Sequence, residues 1–211
     1  MSTRRTWIQQ LTTAAVCLFA LPVSAQTDTT VVKVEEDWEL VIGEPSPDSD
    51  APQVTCVISP YEGAQSVHAA FELNHRSLPS FVAGGMQLQA WNYENFITRD
   101  SAATGALSTS GETITWTMKM KLLEGNLYFY VRNGNSTTWG QFGGWGDLTL
   151  SIPWSLSSLA GYSPETSVEQ SGVGYASNRV SRLVLKEVRY YNAANELVAQ
   201  DTTQRVVHTL E

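Results

Sequence analysis

Between Thr113 and Leu122 the chain reads TITWTMKMKL, and every second residue is apolar. Ile114, Trp116, Met118, Met120 and Leu122 point one way, while Thr113, Thr115, Thr117, Lys119 and Lys121 point the other. A period of two belongs to extended backbone, whose side chains alternate across a sheet. One apolar and one polar face predict an antiparallel sheet with a single side packed on a core. The next segment continues the pattern: Glu124-Gly125-Asn126 suits a hairpin turn, and Leu127, Phe129 and Val131 then alternate with Tyr128, Tyr130 and Arg132. Asn133-Gly134 predicts a second hairpin turn leading into STTWGQF, because both residue types tolerate the positive φ such turns require.

The same reading extends along most of the chain. VVKVEEDWELVIG (31–43), VTCVIS (54–59), SVHAAFEL (66–73), GMQLQAWNY (85–93), DLTLSIP (147–153), NRVSRLVLKEVRYYN (178–192) and LVAQDTTQRVVHTL (197–210) are strand-like. Residues 98–112 read as a loop, and 154–176 as the longest irregular region, with room for a short helical turn. The alternation of 178–192 changes phase after Leu185, as a β-bulge would make it do. The expectation is an all-β, jelly-roll-like antiparallel sandwich of about nine or ten strands with little helix.

The N-terminal segment is of a different kind. Arg4 and Arg5 precede the apolar stretch TTAAVCLFALPV, and VSA before Gln26 fits a small-residue cleavage site. Residues 1–25 are expected to be a cleavable signal peptide, and 26–211 a single β-sandwich domain that is exported to the periplasm, cell surface or medium. The apolar stretch is short for a transmembrane anchor, and no later one is long enough to span a bilayer. Loss of the leader takes net charge from −8 to −10. Such an acidic chain repels phosphate backbones, which argues against nucleic acid. One cysteine, Cys56, remains in the apolar VTCVIS, where a buried core residue is expected rather than a nucleophile.

Motifs for catalysis are sparse. No Gly-x-Ser-x-Gly elbow occurs, and His68, His75 and His208 lack a zinc-binding spacing. Glu35, Asp37 and Glu39 share one strand face, with alternate residues roughly 7 Å apart, a geometry possible for the paired carboxylates of glycoside hydrolysis. Their place near the start of the domain reads better as charge on an edge strand, which deters strand addition. No cofactor is expected; Asp48 and Asp50 in SPDSDAP could hold a structural calcium but read better as a solvated linker.

The aromatic positions carry the strongest functional signal. Gln87, Gln89, Trp91 and Tyr93 share one strand face, as do Tyr128, Tyr130 and Arg132. If both outer faces belong to one sheet, with Trp139 at its edge, they form a surface of rings, amides and a guanidinium suited to sugars. Trp38 and Trp116 lie on apolar faces and are expected in the core; Trp145 is expected to pack at a turn. The terminal NRVSRLVLKEVRYYNAANELVAQD resembles the closing hairpin of secreted jelly-roll modules, including carbohydrate-binding ones. The wider set of segments, EEDWELVIGEPSPDSDAPQVTCVISP and FELNH included, resembles small exported bacterial proteins of unknown function. The resemblance implies a fold and an address, and no catalytic residues. The leading expectation is an exported, non-enzymatic module binding carbohydrate or a cell-envelope ligand. The alternatives are a structural surface or filament component, and a sandwich glycosidase or lyase.

Overall fold

The computed structural model describes residues 28–45, 51–62, 66–74, 84–102, 105–107, 109–144 and 146–210. The signal-peptide, calcium, His75 and Trp145 expectations concern residues outside this set.

Two antiparallel sheets face each other across one core. The large sheet contains β1 (Lys33–Ile42), β6 (Thr113–Leu123), β7 (Asn126–Ser136), β8 (Gly140–Phe142), β9 (Thr149–Pro153), β11 (Val180–Tyr191), β12 (Leu197–Asp201) and β13 (Arg205–Thr209). Its order is β12-β11-β1-β6-β7-β8, with β13 also on β11 and β9 also on β7. The small sheet contains β2 (Gln53–Ile58), β3 (Val67–Leu73), β4 (Met86–Asn92), β5 (Asn95–Ala102) and β10 (Gly172–Tyr175), in the order β10-β2-β3-β4-β5. A short helix, α1 (Pro164–Gln170), lies in the long irregular region.

The alternation read from the sequence becomes the sandwich interior. Ile114, Trp116, Met118 and Met120 from β6 meet Leu127, Phe129 and Val131 from β7, and Cys56, Phe71 and Leu88 from the small sheet. Trp38 and Trp116 are side by side on neighbouring strands, with centroids 6.3 Å apart and rings within 5° of parallel. Phe71 reaches across from the opposite sheet to meet the Trp116 ring edge-on at 5.6 Å. Burying such aromatics is worth roughly 2–3 kcal/mol each, and this cluster ties the sheets together.

Several expectations need correction. Residues 95–102 form β5 rather than the start of a loop, 172–175 form a further short strand, and 197–210 divides into β12 and β13. β1 is no edge strand: it lies between β11 and β6, because its backbone pairs with the C-terminal part of the chain on one side. Asn133-Gly134 makes no hairpin turn. β7 runs straight through it, with Thr115 opposite Asn135 but Thr117 opposite Arg132, so one extra residue bulges from β7. Asn133 adopts φ 55°, the left-handed conformation that asparagine tolerates. The turn comes later, at 137–139, before β8. The expected bulge after Leu185 is present: Trp38 pairs with Leu185 but Asp37 with Glu187, leaving Lys186 as the extra residue.

Candidate ligand-binding face

The sequence reading joined Gln87, Gln89 and Trp91 with Tyr128, Tyr130 and Arg132 into one surface. The structure separates them. The first three stand on β4 of the small sheet and the last three on β7 of the large sheet, so the outer faces bearing them are opposite sides of the sandwich. Alternation along a strand fixes which residues share a face and says nothing about which sheet the strand joins.

On the small sheet, Gln87 and Gln89 are buried, although they point away from the core. Gln89 donates to Glu72 Oε2 at 2.6 Å, and Gln87 to the Ser101 hydroxyl at 3.2 Å. Burial pushes the Glu72 carboxyl up to about 7, against the lowering effect of the Gln89 bond. Trp91 is half-buried and meets Phe96 edge-on at 5.3 Å. Gln87 and Gln89 are thus buried against Ser101 and Glu72, with Gln87 Oε1 unbonded among the described residues, and are not exposed to a ligand. Trp139 is likewise committed. It sits in the turn between β7 and β8, and its indole N–H donates to the Gly105 carbonyl at 3.0 Å. That turn is held by buried Glu112, which accepts from the Ser136 hydroxyl, the Thr138 N–H (3.0 Å) and the Thr138 hydroxyl (2.5 Å).

The large sheet presents a different outer face. Tyr128, Tyr130 and Arg132 follow one another along β7, opposite Lys121, Lys119 and Thr117 of β6. The two tyrosine rings stack, with centroids 6.0 Å apart and planes 7° from parallel. The Arg132 guanidinium lies 4.7 Å from the Tyr130 centroid and the Lys119 amine 5.3 Å from it. Rings two residues apart that face each other along a strand turn their edges outward. Tyr130 therefore offers its hydroxyl and rim to solvent rather than a flat platform.

The two bulges shape the centre of this face. Each puts consecutive residues on the same side of the sheet, which regular pleating forbids. On β7, Arg132 is followed by exposed Asn133 and Asn135; on β11, Lys186 is the extra residue just before Glu187 and Arg189. Between them lies an open pocket of about 360 Å³, lined by Asp37 and Glu39 of β1, Thr115 and Thr117 of β6, and Asn133, Lys186 and Arg189. A hydrogen-bond chain crosses its floor. Asn133 Nδ2 donates to Thr117 Oγ1 (3.2 Å), which donates to Asp37 Oδ1 (2.7 Å), and Arg189 clamps Asp37 at 2.5 and 3.0 Å. That clamp holds the Arg189 guanidinium well above its usual range. Beyond Asn133 a second groove of about 610 Å³ is lined by Asn135, Gln141, Phe142, Gly143 and Asp147. Asn133 borders both.

The carboxylates Glu35, Asp37 and Glu39 are thus gathered on a ligand-accessible face, but each is engaged. Glu35 has Lys33 at 3.2 Å and Arg189 at 3.5 Å, and Glu39 has Arg182 and, at 3.7 Å, Lys186. The pocket presents a completed ion-pair lattice rather than two free acids flanking a bond, as glycoside hydrolysis requires.

One polar cluster escaped the sequence reading altogether. Glu36 is fully buried on the core side of β1. Its Oε1 accepts from Tyr162 (2.7 Å) and Ser167 of α1 (2.5 Å), and its Oε2 from Trp38 Nε1 (3.0 Å). Burial pushes its carboxyl up to about 7, despite these donors and the charge of Arg205. The signal was legible: Glu36 shares its parity with Val34, Trp38 and Leu40. Cys56 is buried close by, and its thiol is pushed well up, which suits an inert core residue. Among the described residues, no cluster of His, Cys, Asp and Glu is arranged to hold a metal ion. Nor is any helix among them long and apolar enough to cross a membrane.

No protein-family model matches the chain, and no curated protein matches it.

Proposed function

We propose that this protein is an exported, non-enzymatic β-sandwich module that binds carbohydrate or a cell-envelope ligand through the outer face of its large sheet. The observation that carries the reading is the paired grooves meeting at Asn133, lined by amides, hydroxyls and charges on paired strands. Such groups, held on rigid backbone, match the dense hydroxyls of a sugar chain with little ordering cost. The exposed cross-strand pair Asn135 and Gln141 places two amides side by side in the second groove. A glycan-binding panel tests this. Wild type is expected to retain at least one polysaccharide class, with retention falling several-fold in Asn135→Ala combined with Gln141→Ala. Retention of none by the folded protein sinks the reading.

A second reading, a structural surface component, draws support from the β4–β5 hairpin. Tyr93, Phe96 and Ile97 are 58%, 49% and 41% exposed there, beside an edge strand of the small sheet. Exposed apolar groups beside an unpaired edge favour self-association. Light scattering across concentrations separates the two: growth in particle size that Phe96→Ser abolishes would favour assembly.

A further inference from the structure

The outer face of the large sheet has an unusual share of the protein's positive charge. The chain has 13 lysines and arginines against 21 acids. Seven of those bases project from this face: Lys33, Lys119, Lys121, Arg132, Arg182, Lys186 and Arg189. Among the described residues, the strands of this face carry four acids beside them: Glu35, Asp37, Glu39 and Glu187. The imbalance is concentrated at one end. The acids all stand on β1 and β11, where they pair with Lys33, Arg182, Lys186 and Arg189. Towards β7 the outward positions of β6 and β7 carry Lys119, Lys121 and Arg132, interleaved with Tyr128 and Tyr130, and no acid.

These three cations are poorly compensated. Lys119 is 3.8 Å from Glu35, at the outer limit of an ion pair. Arg132 donates to the Val131 and Asp147 carbonyls and to the Thr149 hydroxyl, and among the described residues its acidic neighbour is Asp147, which forms no ion pair with it. Lys121 has no ion pair among the described residues and stands directly across from Lys33 on β1. Burial pulls the Lys119 amine below its usual range, and Lys33, Lys121 and Arg132 push the same way against Glu35. A bound anion would relieve that mutual repulsion.

We infer that the strip formed by Lys119, Lys121, Arg132, Tyr128 and Tyr130 is a docking track for an acidic polysaccharide, its carboxylates or sulfates meeting the cations and its hydroxyls the tyrosine rims. This rests on the carbohydrate reading above and names its ligand class. Lys119 and Lys121 are two residues apart on one strand, roughly 7 Å, so the cations form a line suited to a repeating anion. The acidic remainder of the protein disfavours a stiff, densely charged duplex.

The test compares binding of the purified protein to dextran, dextran sulfate and polygalacturonate, with duplex DNA and phosphatidylglycerol vesicles as further arms. Binding to one or both acidic polymers is expected to exceed binding to dextran at least tenfold. It should fall roughly twenty- to fortyfold between 50 and 200 mM salt, as three neutralised anionic charges at a slope of about −0.7 to −0.9 each would produce. Lys119→Gln with Lys121→Gln should reduce it about tenfold, and Lys121→Arg should preserve it; unchanged melting temperatures confirm that both variants fold. Equal binding to neutral and acidic glycans overturns this inference and leaves the carbohydrate reading standing. Binding to no glycan overturns both. Equal or tighter binding to DNA or vesicles overturns the assignment to polysaccharide. The preferred acidic polymer distinguishes sulfate from carboxylate recognition.

Discussion

The two outer faces of this sandwich are built from the same alternation and end in opposite conditions. On the large sheet, charged and aromatic groups are half-exposed and bonded sideways into a lattice that a ligand could reach. On the small sheet, Gln87 and Gln89 point away from the core and are nonetheless buried. Glu72 beside them titrates as an interior group would. Polar residues at every second position therefore mark the side away from the core, and that side is wet only where nothing else covers it.

The comparison can be broken at its mechanical link. Gly134 sits in the bulge of β7, and a Cβ there would fall 2.2 Å from the Phe142 ring. Phe142 stacks on Phe71 of the small sheet at 6.1 Å, so the glycine lets the edge of one sheet grip the other. Gly134→Ala is expected to cost about 3 kcal/mol by overpacking, read as a fall in chemical-denaturation midpoint. A neutral effect would show that the grip is dispensable.

The buried acids sharpen it next. Glu36 and Glu72 each have a folded-state pKa of about 7 against an ordinary 4.5. A raised carboxyl contributes stability fully below about pH 4.5 and loses it as pH rises through 7. For each of them, that loss is expected to be on the order of 2 kcal/mol. Glu36→Gln and Glu72→Gln should each flatten part of the pH dependence of the melting temperature between pH 4.5 and 7. If only Glu36→Gln does so, the small sheet's outer face is wetter than its burial implies. Glu36→Ala, which strands three buried donors, should instead destabilise at every pH.

On the wet face, Arg189→Ala removes the clamp on Asp37 and is expected to cost about 1 kcal/mol, shrinking in high salt. A salt-independent loss would point to packing by the Arg189 stem. The smallest effect belongs to the hairpin between β4 and β5. Tyr93 holds φ 53°, where a β-carbon is crowded. Tyr93→Gly should be neutral or stabilising by up to about 1 kcal/mol in thermal melts.

Much of this architecture is legible in the residues. Ile114 to Leu122, with Trp38 and Trp116, announces a one-sided sheet, and the phase change after Leu185 announces a bulge. The rest was hidden for identifiable reasons. Asn133-Gly134 has the chemistry of a tight turn, and a bulge asks for the same positive φ. Sheet membership of β4 and β7 depends on distant pairing, which local pattern does not encode. The acids of β1 read as edge protection from local sequence, yet the C-terminal β11 closes over that side. Glu36, a lone buried acid within an acidic run, does not stand out until parity is counted.

The bulges on β7 and β11 decide what lines the pocket. In a regular strand, a point substitution alters one side chain and leaves the others aimed as before. A single-residue insertion would flip every side chain beyond it unless a bulge absorbs the extra residue. Of this sheet's several register shifts, those beside Asn133 and Lys186 lie one on each side of the central pair β1 and β6, and the pocket lies in the space between. Moving either bulge residue along its strand would change that lining while leaving the faces of the flanking residues as they are.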